Sequence, residues 1–250
     1  MANTFFDPGV QRAAKVGELF ARVAPCYDLM NDLQSFGLHR YWKRRVIEVA
    51  RPQSGEDALD VCCGTGDLAL GLARHGAKVT GVDFSQPMLK VAAPRTLHAP
   101  RTVHASRFPP RYVHGDAQRL PFADHSFDIV TVGYGLRNLA NWETGLQEMH
   151  RVASLGGRLV VLDFGKPDNP LWRTIYFAYL RLFIPCLGLV VAGSAAAYAY
   201  ILESLRHYPA QHGLEAKMRE LGLVNVRIVN LLGGVMSINY GEKGGVKTEM

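Results

Sequence analysis

Cysteine is scarce in this sequence, and its positions give no sign of a metal centre. The four cysteines among 250 residues are Cys26, Cys62, Cys63 and Cys186, and they lack the spacing of metal ligands. Cys62 and Cys63 lie inside an apolar run, where cysteine behaves as a small hydrophobic residue. We therefore expect reduced thiols, no bound metal and a cytoplasmic location.

We expect neither a secretory leader nor internal repeats. The N-terminus has no basic start followed by an apolar run, so we expect no signal peptide. The length of 250 residues allows one large domain with a cap. An apolar content of 48% with 20% charged residues is ordinary for a globular protein.

A glycine-rich turn organises the chain. An apolar run at Ala58–Cys62 predicts a buried strand, and Gly64-Thr65-Gly66 follows it at once. A helical segment at Asp67–Arg74 and a second strand at Lys78–Asp83 complete a strand–helix–strand unit. Since an acid ends the second strand about 20 residues after the turn, the unit is typical of a nucleotide-ribose site. A purely structural turn is the alternative.

Two details narrow the choice of ligand for this turn. Ala69 stands where the pyrophosphate-binding fingerprint has its third glycine. Asp60, just before the turn, suits an ammonium group better than a pyrophosphate. A ligand with an amino-acid head and an adenosine tail, S-adenosylmethionine, therefore fits better than a dinucleotide.

Helices and strands alternate on both sides of this unit. Three helical segments precede it and could cover a substrate: Val10–Ala24, a short segment from Tyr27 to Asn31, and His39–Ala50. A helix that opens with Ser85 as N-cap follows the second strand, and Pro94–Pro110 is predicted to be a surface loop. Three more strands indicate a mostly parallel sheet: Arg111–His114, Phe127–Val132 and Arg158–Asp163. Gly233-Gly234 between two apolar runs predicts a final hairpin.

The segment 182–202 has no charged residue and is long enough to span a bilayer. Pro185 and Gly188 interrupt it, and the stretch around Gly193 is only weakly apolar. We therefore predict two helices broken near Ala192–Ser194 rather than a transmembrane helix. The apolar residues of this segment could line a pocket for a lipophilic substrate or rest on a membrane.

The net charge of +6 is concentrated at Arg40–Arg45, where basic residues alternate with Tyr41 and Trp42. Such a stretch could bind nucleic acid or an anionic membrane. It could also be the solvated face of a helix with Trp42 packed inward.

Several motifs together resemble a known family. The general ones are Asp-Val-Cys-Cys-Gly-Thr-Gly-Asp, Gly-Val-Asp-Phe-Ser, Gly-Asp-Ala-Gln-Arg-Leu-Pro-Phe and Gly-Leu-Arg-Asn, which look like class I S-adenosylmethionine-dependent methyltransferases. Three narrower ones resemble the menaquinone/ubiquinone biosynthesis C-methyltransferases: Ala-Pro-Cys-Tyr-Asp-Leu-Met-Asn, Gly-Leu-His-Arg-Tyr-Trp-Lys-Arg-Arg and Gly-Gly-Arg-Leu-Val-Val-Leu-Asp-Phe-Gly-Lys-Pro. The resemblance covers about Val16 to Tyr240.

The resemblance implies a fold, a substrate class and partners. The fold is α/β, a Rossmann-like seven-stranded sheet with its last strand antiparallel, an N-terminal helical cap (1–54) and a methyltransferase domain (55–242). That domain carries an apolar insertion (170–205) and is followed by a flexible tail (243–250). The acceptor is a prenylated quinol, most narrowly demethylmenaquinol, with a ubiquinone precursor or another lipophilic acceptor as alternatives. We expect peripheral contact with the inner face of a membrane and no nucleic-acid partner, although a non-enzymatic nucleic-acid binder is the alternative from a different class. A homodimer is an option.

The resemblance also assigns residues to S-adenosylmethionine. Asp60, Gly64, Thr65 and Gly66 would hold its methionine part, and Asp83 would bind the ribose beside Phe84. The adenine would meet Asp116 and Ala117. Gly133 completes this set, at a position where relatives often have serine.

Candidate catalytic residues follow from the chemistry of methyl transfer to carbon. A deprotonated quinol shares its negative charge with the carbon beside the hydroxyl, so the protein must favour the quinolate and exclude water. Arg137 and Asn138, just past the fourth strand, could stabilise that oxyanion or order a water molecule. Tyr27, Asp28 and His39 in the cap are candidates for hydrogen bonding or general base work. A structural salt bridge is the alternative for Arg137, and a surface or capping role is the alternative for His39.

Overall fold

In the computed structural model, which describes residues 11–23, 27–97 and 108–245, seven strands form one sheet. They are Asp57–Val61 (β1), Lys78–Asp83 (β2), Arg111–His114 (β3), Phe127–Gly133 (β4), Ala153–Phe164 (β5), Leu223–Leu231 (β6) and Met236–Lys243 (β7). Their order is β3-β2-β1-β4-β5-β7-β6. The first five strands pair in parallel, whereas β7 is antiparallel to both of its neighbours. This confirms the predicted Rossmann-like sheet with an antiparallel last strand.

The central strands are apolar on both faces because helices cover both sides of the sheet. Leu59 of β1 pairs with Thr80 of β2 on one side and with Val130 of β4 on the other. Leu59 and Val130 are fully buried, as a parallel sheet between two helical layers requires. One hydrophobic cluster lies on each face of the sheet.

The described helices alternate with these strands. They are Arg12–Val23 (α1), Tyr27–Ser35 (α2), Leu38–Ala50 (α3), Asp67–Arg74 (α4), Gln86–Leu97 (α5), Trp142–Val152 (α6), Pro170–Ala192 (α7), Ala195–His207 (α8) and Ala210–Glu220 (α9). The cap consists of α1–α3: α1 packs against α5, α2 packs against α7, and α3 packs against α4 and β5. Helices α1 and α2 lie at the carboxyl ends of the central strands, whereas α3 packs on one face of the sheet.

Helix α5 corrects two predictions. It continues through Pro94 to Leu97, whereas a loop from Pro94 was predicted; the rest of that loop between 98 and 107 lies outside the described residues. The N–H that Pro94 lacks would have bonded the carbonyl of Lys90, and that residue is exposed to water. Ser85 occupies the predicted N-cap position, since its carbonyl accepts from the Leu89 N–H at 3.2 Å. Its buried Oγ atom, however, has no hydrogen-bond partner in the described chain and so does not cap the helix.

The apolar segment forms two helices that break between Ala192 and Ala195, which confirms the predicted break near Ala192–Ser194. Helix α7 is continuous through Pro185 and ends at Gly193, whose φ of 65° favours glycine. Gly188 does not interrupt the helix; a Cβ atom there would collide with Tyr198, so this glycine lets α7 and α8 approach. By length and composition Pro170–Val191 could cross a membrane, and 22% of its most apolar window is buried within the protein.

Candidate active site

The turn after β1 is built around the carboxylate of Asp83. The Asp83 side chain accepts hydrogen bonds from the backbone N–H of Gly64 (2.8 Å) and of Ser85 (2.7 Å). Gly64 and Gly66 have φ angles of 54° and 85°, which glycine adopts without strain. Burial raises the pKa of the Asp83 carboxyl, and the two N–H donors oppose that shift. Asp83 is thus fixed at the tip of β2, next to the glycine turn.

A cavity of about 100 Å³, here named the strand-edge cavity, opens beside this carboxylate. Six of the nine predicted cofactor residues line it, namely Gly64, Asp83, Phe84, Asp116, Ala117 and Gly133. Further parts of its wall come from α1 through Val16 and Phe20, from α5 through Met88, and from the segment after β4. The cavity lies at the carboxyl ends of the parallel strands, which is where open α/β sheets bind their ligands.

Asp60 and Lys43 lie on the walls of a smaller adjoining cavity, together with Thr65. The Asp60 carboxylate accepts hydrogen bonds from Thr131 Oγ1 (2.9 Å) and from the Ala69 N–H (3.0 Å). Burial raises its pKa to about 7, against the effect of these two donors. Asp67, the ion-pair partner of Lys43, also lines this cavity. The small cavity therefore carries two carboxylates and one ammonium, and such opposite charges suit a zwitterionic amino-acid group.

Lys43 was missed by the reasoning from sequence, which placed it in a solvated basic stretch. Its Nζ atom lies 2.5 Å from Asp67 Oδ2 and 5.9 Å from the centroid of the Tyr134 ring. The signal that would have found it is helical spacing. Lys43 follows the buried His39 by four residues and precedes the buried Val46 by three, so it belongs to the inward face of α3.

Asp28 joins the cap to the glycine turn. Its Oδ1 atom accepts a hydrogen bond from Thr65 Oγ1 (3.2 Å), and its Oδ2 atom accepts one from Arg95 Nη1 (3.2 Å). Arg95 also pairs with Asp67 at 2.7 Å. Asp28 was predicted to be catalytic, but its contacts place it beside the turn, and it does not line the second large cavity described next.

A second cavity of about 100 Å³, here named the cap cavity, lies between the cap, α7 and α8. Its wall is mostly aliphatic and aromatic, with residues from α1–α3, α7, α8 and the ends of β5 and β7. Phe20 and Tyr134 line both the cap cavity and the strand-edge cavity, so the two spaces meet at these rings. Tyr134 has a φ of 62°, an uncommon conformation for a bulky residue that tends to occur at functional sites.

Arg137 lines the cap cavity while its guanidinium is held from several sides. Its Nε atom lies 3.1 Å from Asp163 Oδ1, and its Nη1 atom donates to Asn138 Oδ1 (2.6 Å) and to Ser204 Oγ (3.1 Å). The guanidinium carbon lies 4.7 Å from the centroid of the Phe164 ring. The structural salt bridge considered for Arg137 is therefore present, and it holds a buried cation at the cavity wall.

Both the oxygen and the nitrogen of the Asn138 side-chain amide form hydrogen bonds. In addition to accepting from Arg137, it donates from Nδ2 to the carbonyl of Tyr134 at 2.8 Å. Its side chain lines the strand-edge cavity rather than the cap cavity. Asn138 is thus placed to orient Arg137 and to hold the Tyr134 turn.

His39 also lines the cap cavity and is 5% exposed, so it is neither a surface histidine nor a helix cap. Its Nε2 atom lies 2.8 Å from Asp32 Oδ1. Burial lowers its pKa below 6.5, against the effect of Asp32. The Tyr27 side chain lies outside the described residues, so its predicted role stays a prediction.

Residues 9–243 match the model of the ubiE/COQ5 methyltransferase family. The chain belongs to this family. It is 41% identical over 239 residues to the ubiquinone/menaquinone biosynthesis C-methyltransferase UbiE of Azotobacter vinelandii, covering 94% of this chain and 92% of that one. It is also 41% identical to the protein of that name from Ectopseudomonas mendocina, with coverages of 94% and 91%.

The fold of this ubiE/COQ5 family member is that of class I S-adenosylmethionine-dependent methyltransferases. A Thermotoga maritima structure described as an S-adenosylmethionine-dependent methyltransferase, possible histamine N-methyltransferase, superimposes with a TM-score of 0.65 at 18% identity. The alignment covers 90% of this chain and 99% of that structure. The suspected family and fold are therefore confirmed.

The glycine motif of the family has one member with a structural role here. Gly66 does not line the strand-edge cavity or the small cavity. A Cβ atom on Gly66 would collide with the Tyr112 hydroxyl. Gly66 is the N-cap of helix α4 and has a φ of 85°. Gly66 therefore shapes the turn, whereas Gly64 and Thr65 lie at the cavity walls.

The basic stretch of the cap is mostly used within the fold. Arg40 pairs with Asp32 at 2.6 Å, Arg45 pairs with Glu48, and Lys43 pairs with Asp67 as above. Trp42 is buried in the cluster between α3, α4 and the sheet. The interpretation of this stretch as a helix face with Trp42 packed inward is the one that the structure supports. Within the described part of the chain, no group of three or more His, Cys, Asp or Glu side chains is arranged to hold a metal ion.

Proposed function

We propose that this protein transfers a methyl group from S-adenosylmethionine to a ring carbon of a prenylated quinol, and that the natural acceptor is demethylmenaquinol. Support for quinone-ring C-methylation comes from the family and from the names of its curated relatives. The observation that carries the proposal is the pair of cavities that meet at Phe20 and Tyr134. A methyl donor in one and an aromatic acceptor in the other would react at this junction.

The residues of the strand-edge cavity and the small cavity fit the donor. The Asp83 carboxylate can accept hydrogen bonds from the two ribose hydroxyls of a nucleoside bound in the strand-edge cavity. Asp60 and Lys43 offer opposite charges to an α-ammonium and an α-carboxylate. When bound, S-adenosylmethionine supplies an electrophilic methyl group on a sulfonium centre.

The cap cavity fits an aromatic acceptor that becomes anionic. The Arg137 guanidinium is 6% exposed and is held in place by Asp163, so it needs little reorganisation when negative charge develops on a ring oxygen. Aliphatic and aromatic side chains around it keep water from the reacting carbon and lower the local dielectric. The protein thereby favours the quinolate, whose charge is shared with the carbon that attacks the methyl group.

The test is the quinone profile of the host with and without this gene. Loss of the gene should replace the methylated naphthoquinone by its demethyl form, and the purified protein should methylate demethylmenaquinol. Accumulation of a demethylated benzoquinone alone would reassign the acceptor to a ubiquinone precursor. No change in either quinone, with no methyl transfer in vitro, would contradict the proposed function.

We also propose that the outer face of α7 rests on the membrane that holds the prenylated acceptor. Apolar side chains on this face are strongly exposed, with Val190 at 84%, Leu171 at 70% and Leu182 at 66%. The opposite face of the same helix lines the cap cavity through Tyr176 and Leu180. A membrane against α7 would therefore lie one helix away from the acceptor site, and it would place the enzyme at the cytoplasmic surface.

Vesicle sedimentation tests this contact. The wild-type protein should bind vesicles that contain an anionic phospholipid, and Leu182→Glu with Val190→Glu should abolish binding. Leu155→Glu is a matched control, because Leu155 is 60% exposed but lies on β5. If the double variant instead converts a dimer to a monomer without changing vesicle binding, α7 is the interface of a homodimer and the membrane proposal is wrong.

A further inference from the structure

The cap cavity contains one group that the proposed chemistry needs and that the family motifs do not assign. Forming a quinolate requires a proton acceptor, and a guanidinium does not accept protons near neutral pH. Among the described residues that line this cavity there is no carboxylate, lysine or cysteine. The remaining ionisable side chains are tyrosines, which titrate near pH 10 in water, and His39. Burial raises the pKa of Tyr176, Tyr179 and Tyr200 further, so these hydroxyls stay protonated.

His39 is held as a neutral imidazole with one free nitrogen. Its Nε2 atom lies 2.8 Å from Asp32 Oδ1, and because a carboxylate is only an acceptor, Nε2 carries the proton. The Nδ1 atom is buried and has no hydrogen-bond partner within the described chain. A buried lone pair without a donor costs free energy, and a hydroxyl donor in the cavity would remove that cost.

Asp32 is itself fixed by the turn between α2 and α3. Its backbone carbonyl accepts a hydrogen bond from Gly37 N–H at 2.8 Å, and its Oδ2 atom accepts one from Arg40 at 2.6 Å. Gly37 has a φ of 75°, which lets the chain reverse within two residues. The carboxylate and the imidazole are therefore presented to each other by one short turn of the cap.

We propose that His39 is the proton acceptor for the quinol hydroxyl and that Asp32 is the residue that positions it. This inference rests on the proposed function. The O–H bond breaks, its electron pair remains on oxygen, and the proton binds Nδ1 to give an imidazolium paired with Asp32. The ring carbon beside that oxygen would use its electron pair to bond the methyl group of S-adenosylmethionine, while the methyl–sulfur bond would break and leave its electron pair on sulfur as a neutral thioether. The ring proton at that carbon then leaves and restores aromaticity, while the imidazolium returns its proton to the oxygen. One proton in total passes to solvent.

The pKa of His39 supports this role. Burial lowers its pKa below 6.5, and Lys43 on the same helix lowers it too, whereas Asp32 from α2 and Asp67 from α4 raise it. His39 is therefore neutral at pH 7 and can accept a proton. The rate should fall as pH falls through this lowered pKa, because the imidazole is then already protonated.

The decisive variant is His39→Gln, which can keep a hydrogen bond to Asp32 but cannot act as a base. General base catalysis contributes about 10²- to 10⁴-fold, so kcat should fall by at least about 100-fold. S-adenosylmethionine binding should be unchanged, and the acid limb of the kcat profile should disappear. The matched control is His212→Gln, since His212 forms the same type of pair with Asp168 at 2.8 Å but is 61% exposed; kcat should not change.

Two further measurements distinguish a positioning role of Asp32 from a purely structural one. In Asp32→Asn the acid limb should move to lower pH, because the carboxylate no longer raises the pKa of His39. Nitrogen NMR of the wild-type imidazole, which does not depend on turnover, should show a neutral ring with its proton on Nε2 at pH 7. A ring charged at pH 7, a proton on Nδ1, or a His39→Gln variant with full kcat and an intact acid limb would overturn the inference while leaving the quinol methyltransferase in place. A wild-type protein that methylates no quinol would instead remove the proposed function and this inference together.

Discussion

Replacing Arg137 tests whether its buried ion pair serves the reaction or only the fold. Arg137 and Asp163 are 6% and 2% exposed, and their side chains lie 3.1 Å apart. Arg137→Ala leaves the Asp163 carboxylate buried without its cation, although the backbone N–H groups of Arg137 and Phe164 still donate to it. Removing one partner of such a pair costs about 3–5 kcal/mol of unfolding free energy. Burial already raises the pKa of Asp163, and without the arginine that carboxyl should take up a proton more readily.

The same variant should lose turnover without losing the methyl donor. A donor aimed at a developing oxyanion contributes about 10²–10³ in kcat. Arg137 lines the cap cavity and not the strand-edge cavity, so S-adenosylmethionine affinity should stay near normal. Urea unfolding, calorimetric titration of S-adenosylmethionine and single-turnover methylation measure the three effects separately.

A double variant separates stability from chemistry. Arg137→Met with Asp163→Leu removes both charges and leaves no unpaired ion, so it should recover most of the lost stability. It should not recover turnover. Recovery of turnover in the double variant, or a loss of S-adenosylmethionine affinity as large as the loss of turnover, would refute the assignment of Arg137 to the oxyanion.

The remaining predictions concern the donor site. Asp83→Ala should weaken S-adenosylmethionine binding most, by roughly 10- to 100-fold, because hydrogen bonds to a charged group contribute about 1.5–3 kcal/mol; normal affinity in calorimetry would mean that the ribose is misplaced. Lys43→Met should weaken S-adenosylmethionine by roughly 10-fold but leave adenosine binding unchanged, with the exposed Arg44→Met as control; equal losses for both ligands would exclude a contact with the amino-acid head. S-adenosylmethionine affinity should rise as pH rises through about 7, because the pKa of Asp60 is raised to about 7 and its ionised form attracts an ammonium; Asp60→Asn should remove this dependence, and an unchanged profile in that variant would assign it to another group. The stability of the ligand-free protein should depend on pH in the opposite direction. The folded state binds the Asp60 proton more tightly than the unfolded state, so the contribution of Asp60 to the free energy of unfolding falls between pH 3.8 and about 7. This fall should be absent in Asp60→Asn.

Local pattern was enough for the elements whose residues are close in sequence. The bounds of α4 and β2 match the predicted Asp67–Arg74 and Lys78–Asp83, because apolar periodicity and a glycine turn specify both ends. The hairpin between β6 and β7 was likewise signalled by Gly233-Gly234, which have φ angles of 65° and 95°. Pro94 misled the prediction of a loop from that residue, since it lies inside helix α5.

Residue patterns alone predicted the sheet, the glycine turn with Asp83 at its side, and the resemblance to a methyltransferase family. The contacts between distant side chains became visible in the folded protein. Lys43 reaches Asp67 across 24 residues, Arg137 reaches Asp163 across 26, and His39 lines one cavity together with residues of α7 and α8. The physical reason is that periodicity reports which face of an element is apolar, whereas the partner of a charged group depends on strand register and on how helices dock. The predicted donor residues follow one another from Asp60 to Gly133 at the ends of successive strands, whereas Lys43 and the wall from α1 were missed. The acceptor site is assembled from six distant segments and could not be predicted as a whole.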